Sequence, residues 1–281
     1  MVDLGFVFNV SFAEEAVPKN VINKLREAED SFSLGEEKYR CTAIVSPVLE
    51  GIPKNLIMMT ICFRHRIKKL VESDMTQAMF QCAFEHVALL ATSAFISFPQ
   101  LCSVNNVHLM INGVHYYMDM CEPLYWPHGY QYDDSSEISW KQTLSWMLSA
   151  IGNSTRNYVP LYVNAMFMRQ YEQLHIAVSA LEKIYVPEEK GIKERLKNRI
   201  PKLISYADSK EIKCMYDCRS EYVHGNVIAP YAYIRGWEQY DPTIAQYTEY
   251  ALELLRETFR LLIKNNASKV IFDEKSYNFI S

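Results

Sequence analysis

Residues Phe167–Tyr185 read FMRQYEQLHIAVSALEKIY. Within them Phe167, Tyr171, Leu174, Val178, Leu181 and Tyr185 stand 4, 3, 4, 3 and 4 residues apart, an apolar stripe of helical period. Val186-Pro187 stops the pattern. Downstream, Ile192, Leu196, Ile200 and Leu203 form a second stripe, and Pro201 inside it predicts a kink or break. Ser209–His224 reads as a third helix closed by Gly225, a natural C-cap residue. Asp241 then caps and Pro242 opens a fourth, with the stripe Ile244, Tyr247, Ala251, Leu254, Thr258 and Leu261. Four amphipathic helices in roughly a hundred residues predict a helical bundle.

Upstream the pattern is mixed. Leu56–Phe63 (LIMMTICF) is a dense apolar run that fits a buried strand. Asp74–Ile96 reads as a long helix with Ser73 or Asp74 as its N-cap. Val107–Ile111 and Val114–Met118 flank Asn112-Gly113, a strong hairpin signal because type I′ turns need positive φ at both central residues. Tyr125–Ser136, rich in Pro, Gly, Asp and Ser, reads as a surface connection. The fold class expected is therefore mainly α: an α+β domain over 1–138 and a helical bundle over 139–281. Gly152-Asn153-Ser154 is the later alternative for the boundary.

The chain has 281 residues, 49% of them hydrophobic, which excludes a long disordered protein. With 29 basic and 33 acidic side chains its net charge is −4, so a general cationic coat is excluded and any nucleic-acid contact is a local patch. Asp3 stands where a secretory signal carries Lys or Arg, and no small-residue cleavage site follows. The longest uncharged apolar run, Val87–Phe98, is too short to span a bilayer. Seven scattered cysteines with no C-x-x-C pair fit reduced thiols. Cys214 and Cys218 share a helix face, but no second pair completes a zinc site. The expectation is a cytoplasmic protein with no membrane segment, no metal and no cofactor. The 19 Tyr include Tyr171, Tyr185, Tyr216, Tyr222 and Tyr247 on the helical stripes, where polar-tipped aromatics suit a buried face bordering a wet groove.

The residues that point to chemistry lie in Ile212–Gly225, IKCMYDCRSEYVHG. At about 100° per residue, Ile212, Met215, Tyr216, Tyr222 and Val223 share one arc, and Arg219 falls in its middle. A cation there needs a carboxylate, carbonyls or an anionic ligand. His224 ends the helix about 140° around from Arg219, where the macrodipole favours an imidazolium able to donate a proton near neutral pH. One permanent cation and one imidazole suit RNA cleavage by the substrate's own 2′-hydroxyl, which needs proton transfer and positive charge on the transition state but no metal. DNA lacks that hydroxyl.

Arg219–Gly225 (R-S-E-Y-V-H-G) resembles the R-x4–6-H motif of the HEPN superfamily, many of whose members are metal-independent ribonucleases. Tyr216-Asp217, Val223-His224-Gly225, the upstream helix Ser179–Glu189 and the downstream Ala251–Arg256 resemble its Apea-like branch. The resemblance runs over 161–265 and implies a four-helix bundle. It further implies a homodimer whose two Arg/His pairs build one composite site, in a toxin or antiphage-defence effector. On it Arg219 and His224 are the catalytic pair. Ser220, Asn226 and Glu221 support them, Ser220 in a slot the motif often fills with a polar residue. Asn226 stands where HEPN toxins silenced by nucleotidyl transfer carry Tyr, which argues against adenylylation there and leaves Asn226 to bond a scissile phosphate. Glu221 points away from the apolar arc, where a merely solvated role is equally open.

Lys193, Arg195, Lys197, Arg199 and Lys202 offer a local patch for the RNA backbone, as does Arg64–Lys69, with a solvated face as the commoner meaning of such runs. Arg169–His175 also matches R-x5-H, but it lies mid-helix without a terminating Gly and reads as accidental. His108, His115, Cys121 and His128 fit no zinc spacing. The function expected is an endoribonuclease with a sensor or regulatory role for 1–138, which would meet an antitoxin or trigger. The alternative is a catalytically silent module for dimerisation, nucleotide sensing or partner binding.

Overall fold

The computed structural model describes residues 2–12, 32–34, 37–45, 57–67, 92–93, 96–97, 101–111, 114–118, 138–150, 157–165, 170–188, 190–225, 242–273 and 276–280. Most of the helix expected over 74–96, the turn Asn112-Gly113, the connection Tyr125–Ser136, the stretch Gly152-Asn153-Ser154, the cap Asp241 and the supporting residue Asn226 lie outside them. The chain divides into two compact units, Met1–Ser145 and Trp146–Ser281.

The first unit carries strands β1 (Val2–Phe12), β2 (Phe32–Leu34), β3 (Glu37–Val45), β4 (Ile57–Ile67), β5 (Leu101–Ile111) and β6 (Val114–Met118). They form one sheet in the order β2-β3-β4-β1-β5-β6. The apolar run Leu56–Phe63 supplies the first half of β4, which pairs antiparallel with β1 from Phe12↔Ile57 to Val2↔Ile67. β5 and β6 pair antiparallel with Ile111 opposite Val114, which fits the two-residue connection that Asn112-Gly113 predicts.

Helix α1 (Trp140–Ala150) contains the division between the units. The second unit continues with α2 (Tyr158–Ala165), α3 (Gln170–Tyr185), α4 (Ile192–Leu203), α5 (Ser209–Val223) and α6 (Pro242–Lys264), then strands β7 (Lys269–Phe272) and β8 (Tyr277–Ile280). The described part of this unit is mainly helical, and α3 is its centre, packed against α2, α4, α5, α6 and β7. The stripe residues Leu174, Val178, Leu181 and Tyr185 are all buried, joined by Ala177, Ala180 and Ile184. A buried hydrogen bond of 2.8 Å between Tyr185 Oη and Thr258 Oγ1 ties α3 to α6. On α6, Phe259 sits under the rings of Trp146, Tyr158 and Tyr162. Among the described residues no helix is long and apolar enough to cross a membrane.

Two expectations are corrected here. The region from 139 onward reads as helical throughout, yet it ends in a hairpin, with Lys269 opposite Ile280 and Phe272 opposite Tyr277. KVIF alternates exposed and buried positions, a strand pattern too short to register beside long helical stripes. The break expected as one outcome of Pro201 does not fall at the proline, because α4 runs on to Leu203. Proline removes one N–H and so orphans the carbonyl four residues earlier. That carbonyl, of Lys197, accepts instead from Ser209 Oγ at 2.9 Å. Ile204 N–H closes the helix on Ile200 O at 2.8 Å.

The cap of α5 is Asp208. Its Oδ1 accepts from the backbone N–H of Lys210 at 2.6 Å and of Glu211 at 3.1 Å, filling two of the orphan donors of the first turn. Asp208→Ala is expected to destabilise the chain by about 1 kcal/mol, read as a shift in the urea midpoint at constant slope.

Candidate functional site

The capped start of α5 sets the rotation of the whole helix. Ile212 and Met215 are fully buried, Tyr216, Arg219 and Tyr222 are half-buried, and Val223 is 46% exposed. The apolar arc is thus sealed over its first two turns and opens over its last one. Arg219 lies where sealed becomes open, with 16% of its side chain exposed.

Among the described residues, three side chains make direct contacts with Arg219. Its Nη2 is 3.4 Å from Glu182 Oε2 and 3.5 Å from Ser179 Oγ, both on α3. Its Cζ lies 5.8 Å from the centre of the Tyr216 ring, a cation–π approach one turn back along α5. Charge-assisted N–H···O bonds ordinarily measure about 2.7–2.9 Å, so the hold from Glu182 is loose. Arg219 Nε and Glu182 Oε1 are buried with no hydrogen-bond partner among the described residues. Burial pushes the Glu182 carboxyl above its usual range, against the opposing pull of Arg219 and then Lys183.

A histidine lies on the same side of α3, towards α5. His175 faces α5, with its ring centre 6.5 Å from that of Tyr222. Its backbone carbonyl accepts from Ser179 Oγ at 2.8 Å. Its Nδ1 is buried with no hydrogen-bond partner among the described residues. Burial first, and then the charge of Arg219, lower its pKa below the usual imidazole value. His175, Ser179 and Glu182 stand at i, i+4 and i+7 of α3, so they form a polar row beside the apolar stripe. Their roles are not legible in the sequence. The available signal is that row, on a helix otherwise committed to burial.

His224 is the residue that ends α5. Its N–H bonds Ser220 O at 3.0 Å, and its side chain is exposed. Gly225 follows at φ +72°, the left-handed geometry that closes a helix and that a side chain resists. Ser220 is half-buried beside Arg219, and Glu221 is exposed. The structure therefore places Arg219, Ser220 and His224 on the last two turns of one helix.

Of the cations expected to hold an RNA backbone, those of α4 are engaged within the chain, and the side chains of Arg64–Lys69 lie outside what the structure describes. Lys193 Nζ meets Asp217 Oδ1 at 2.6 Å, and Lys197 Nζ meets Glu194 at 2.9 Å. Arg195 and Arg199 share Glu188 at 2.8 and 3.0 Å, and Lys202 donates to Asp273 O at 3.2 Å. Glu188 binds both Arg199 nitrogens at 3.0 Å. The Arg199 hydrogen bonds are the chief cause that lowers its carboxyl to about 2. A depressed carboxyl stabilises above its unfolded value of 4.5 and loses that contribution as pH falls towards 2. Glu188→Gln is therefore expected to cost up to about 1 kcal/mol at pH 7, given its exposure, and progressively less in urea unfolding as the pH is lowered from 4.5 towards 2.

The arrangement offers a loosely held guanidinium, a terminal imidazole, a second imidazole on α3 and the Ser179 hydroxyl near the guanidinium. These groups can bind an anion, stabilise charge that develops on it and move protons. Comparison with protein-family models, with curated proteins and with solved structures finds no match to this chain.

Proposed function

We propose that the chain is a metal-independent endoribonuclease of HEPN type, working as a toxin or antiphage-defence effector. In this reading α3–α6 are the four-helix bundle, two copies meet to join their sites, and the first unit senses a trigger or restrains the activity. The observation that carries it is the state of Arg219. A half-buried guanidinium presents five donors in a fork, and among the described residues its hydrogen bonds are two long contacts at Nη2, with the buried Nε left without a partner. A phosphate would take up the buried Nε–H and relieve the cost of leaving it unsatisfied, about 1–3 kcal/mol.

In the cleavage step Arg219 holds the phosphate and offsets charge that develops on its oxygens. His224, exposed at the helix end, exchanges protons with the reacting oxygens. Ser220 and Asn226 add hydrogen bonds, and Glu221 stays in solvent. Four of the five α4 cations are ion-paired and Lys202 donates to a backbone carbonyl, so phosphate binding falls chiefly to Arg219. The ion pair with Glu182 favours the second reading, in which Arg219 fastens α3 to α5 and the bundle serves dimerisation or partner binding without chemistry.

The test is incubation of the purified chain with single-stranded RNA and with DNA of the same sequence. The expected result is cleavage of the RNA alone, lost in Arg219→Ala and in His224→Ala. Folded wild-type protein that leaves a broad panel of RNAs intact favours the second reading.

A further inference from the structure

We infer that His175 is a second imidazole of the same site and acts as the base on the ribose 2′-hydroxyl while His224 serves as the acid. The inference rests on the ribonuclease reading and adds to it that one chain supplies both proton-transfer groups. The geometry comes from the α3–α5 contacts. Arg219 meets Ser179 and Glu182, whereas Tyr222, three residues further along α5, meets His175. As numbers rise along α5 they fall along α3, so the helices are antiparallel. His175 therefore lies beside the last turn of α5, the turn that opens and that His224 ends. His224 follows Tyr222 by two residues, about 3 Å of helix rise. Arg219 and His175 thus lie together beside the last turn of α5, the turn that His224 ends.

The surroundings of His175 suit a base. Among the described residues, Arg219 and Tyr222 of α5 face it, and Glu172 and Glu182 stand one and two turns away on its own helix. Burial and the Arg219 charge disfavour its protonated form, which keeps the ring neutral and ready to accept a proton at pH 7. Its Nδ1 has no hydrogen-bond partner there to hold the ring in a structural role.

The step balances without a further reactant. His175 takes the proton of the 2′-hydroxyl, and the 2′-oxygen bonds to the adjacent phosphorus. The bond from phosphorus to the 5′-oxygen breaks, and His224 gives that oxygen its proton. The products are a 2′,3′-cyclic phosphate and a 5′-hydroxyl. Water then returns the two imidazoles to their starting states.

The experiment is a pH–rate profile on RNA for full-length wild type, His175→Gln and His175→Asn, with His224→Ala as reference and circular dichroism to confirm folding. For wild type, kcat/KM is expected to fall on the acid side with a pKa below 6.5. Both His175 variants are expected to lose about 100-fold or more in kcat with KM within about threefold, to lack that acid limb, and to be partly rescued by added imidazole. The inference is overturned if a folded His175 variant keeps the acid limb and a rate within about threefold of wild type while His224→Ala is inactive. It is equally overturned if the variants are slow but keep the limb and ignore imidazole, which marks a packing role. Wild type that cuts no RNA is a different result and sinks the ribonuclease reading itself.

Discussion

If the chain is the ribonuclease proposed, Arg219→Ala is expected to lower RNA cleavage by about 100-fold to 1,000-fold or more in kcat, the range for removing one preorganised charge-stabilising donor. Arginines that meet transferring phosphoryl groups reach larger factors, because their charge acts in a site partly closed to water. The fold is expected to survive. Arg219 is held by two contacts of 3.4 and 3.5 Å rather than by a tight bidentate pair. Glu182, already pushed towards its neutral form by burial, takes up a proton more readily once the guanidinium is gone. Arg219→Lys separates charge from geometry: a lysine restores a point charge but not the fork, so most of the activity stays lost. His224→Ala is expected to cost a similar factor through lost proton transfer. The measurement is single-turnover cleavage of a labelled RNA, with far-UV circular dichroism on the same samples. A well-folded Arg219→Ala protein that cuts RNA at the wild-type rate would falsify the assignment.

Phe259→Ala is expected to be the most damaging single change to stability, at about 3–5 kcal/mol. The side chain is fully buried on α6. Its ring meets Trp146 and Tyr158 edge-on at 5.7 and 5.6 Å and Tyr162 at 4.8 Å. Two of these neighbours cannot relax into the cavity. Trp146 Nε1 donates to Ala267 O at 3.1 Å, and Tyr158 Oη donates to Ser268 O, so each ring is tethered at its polar end. A cavity that cannot collapse lies at the costly end of the range. Against a total stability of about 5–15 kcal/mol, the loss leaves the unit close to unfolding at ordinary temperature. Urea denaturation followed by tryptophan fluorescence reads it directly. A change under about 1 kcal/mol means that Phe259 does not fill this core.

The features legible in the sequence are local. The α3 stripe, the Gly225 terminator and the β5–β6 pairing each depend on residues within a few positions of one another, and each appears in the structure. The position of Arg219 on an otherwise apolar arc was equally legible, because a helix wheel needs no partner. Val223, on the same arc, is exposed, since the wheel does not say where neighbouring helices end. The partners of Arg219 were not legible: Glu182 lies 37 residues away and is found only once α3 and α5 are packed. His175 shows the same limit. Its mid-helix position makes its R-x5-H match look accidental, and that position sets it beside the last turn of α5. The buried charges Glu253, Arg256 and Arg260 make the buried face of α6 wider than the stripe that predicts it.

Pro201 and Ser209 carry a consequence for how this chain can change. Exposed turns between helices are ordinarily where inserted residues are tolerated. The turn over 204–208 is closed at both ends by the hydrogen-bond account of the helices it joins: Ser209 Oγ serves the carbonyl that Pro201 leaves open, and Asp208 serves the amides of α5. One added or deleted residue would draw the hydroxyl away from Lys197 and leave that carbonyl without its hydrogen bond. The turn works as a fixed-length spacer that keeps the start of α5 seated on the end of α4.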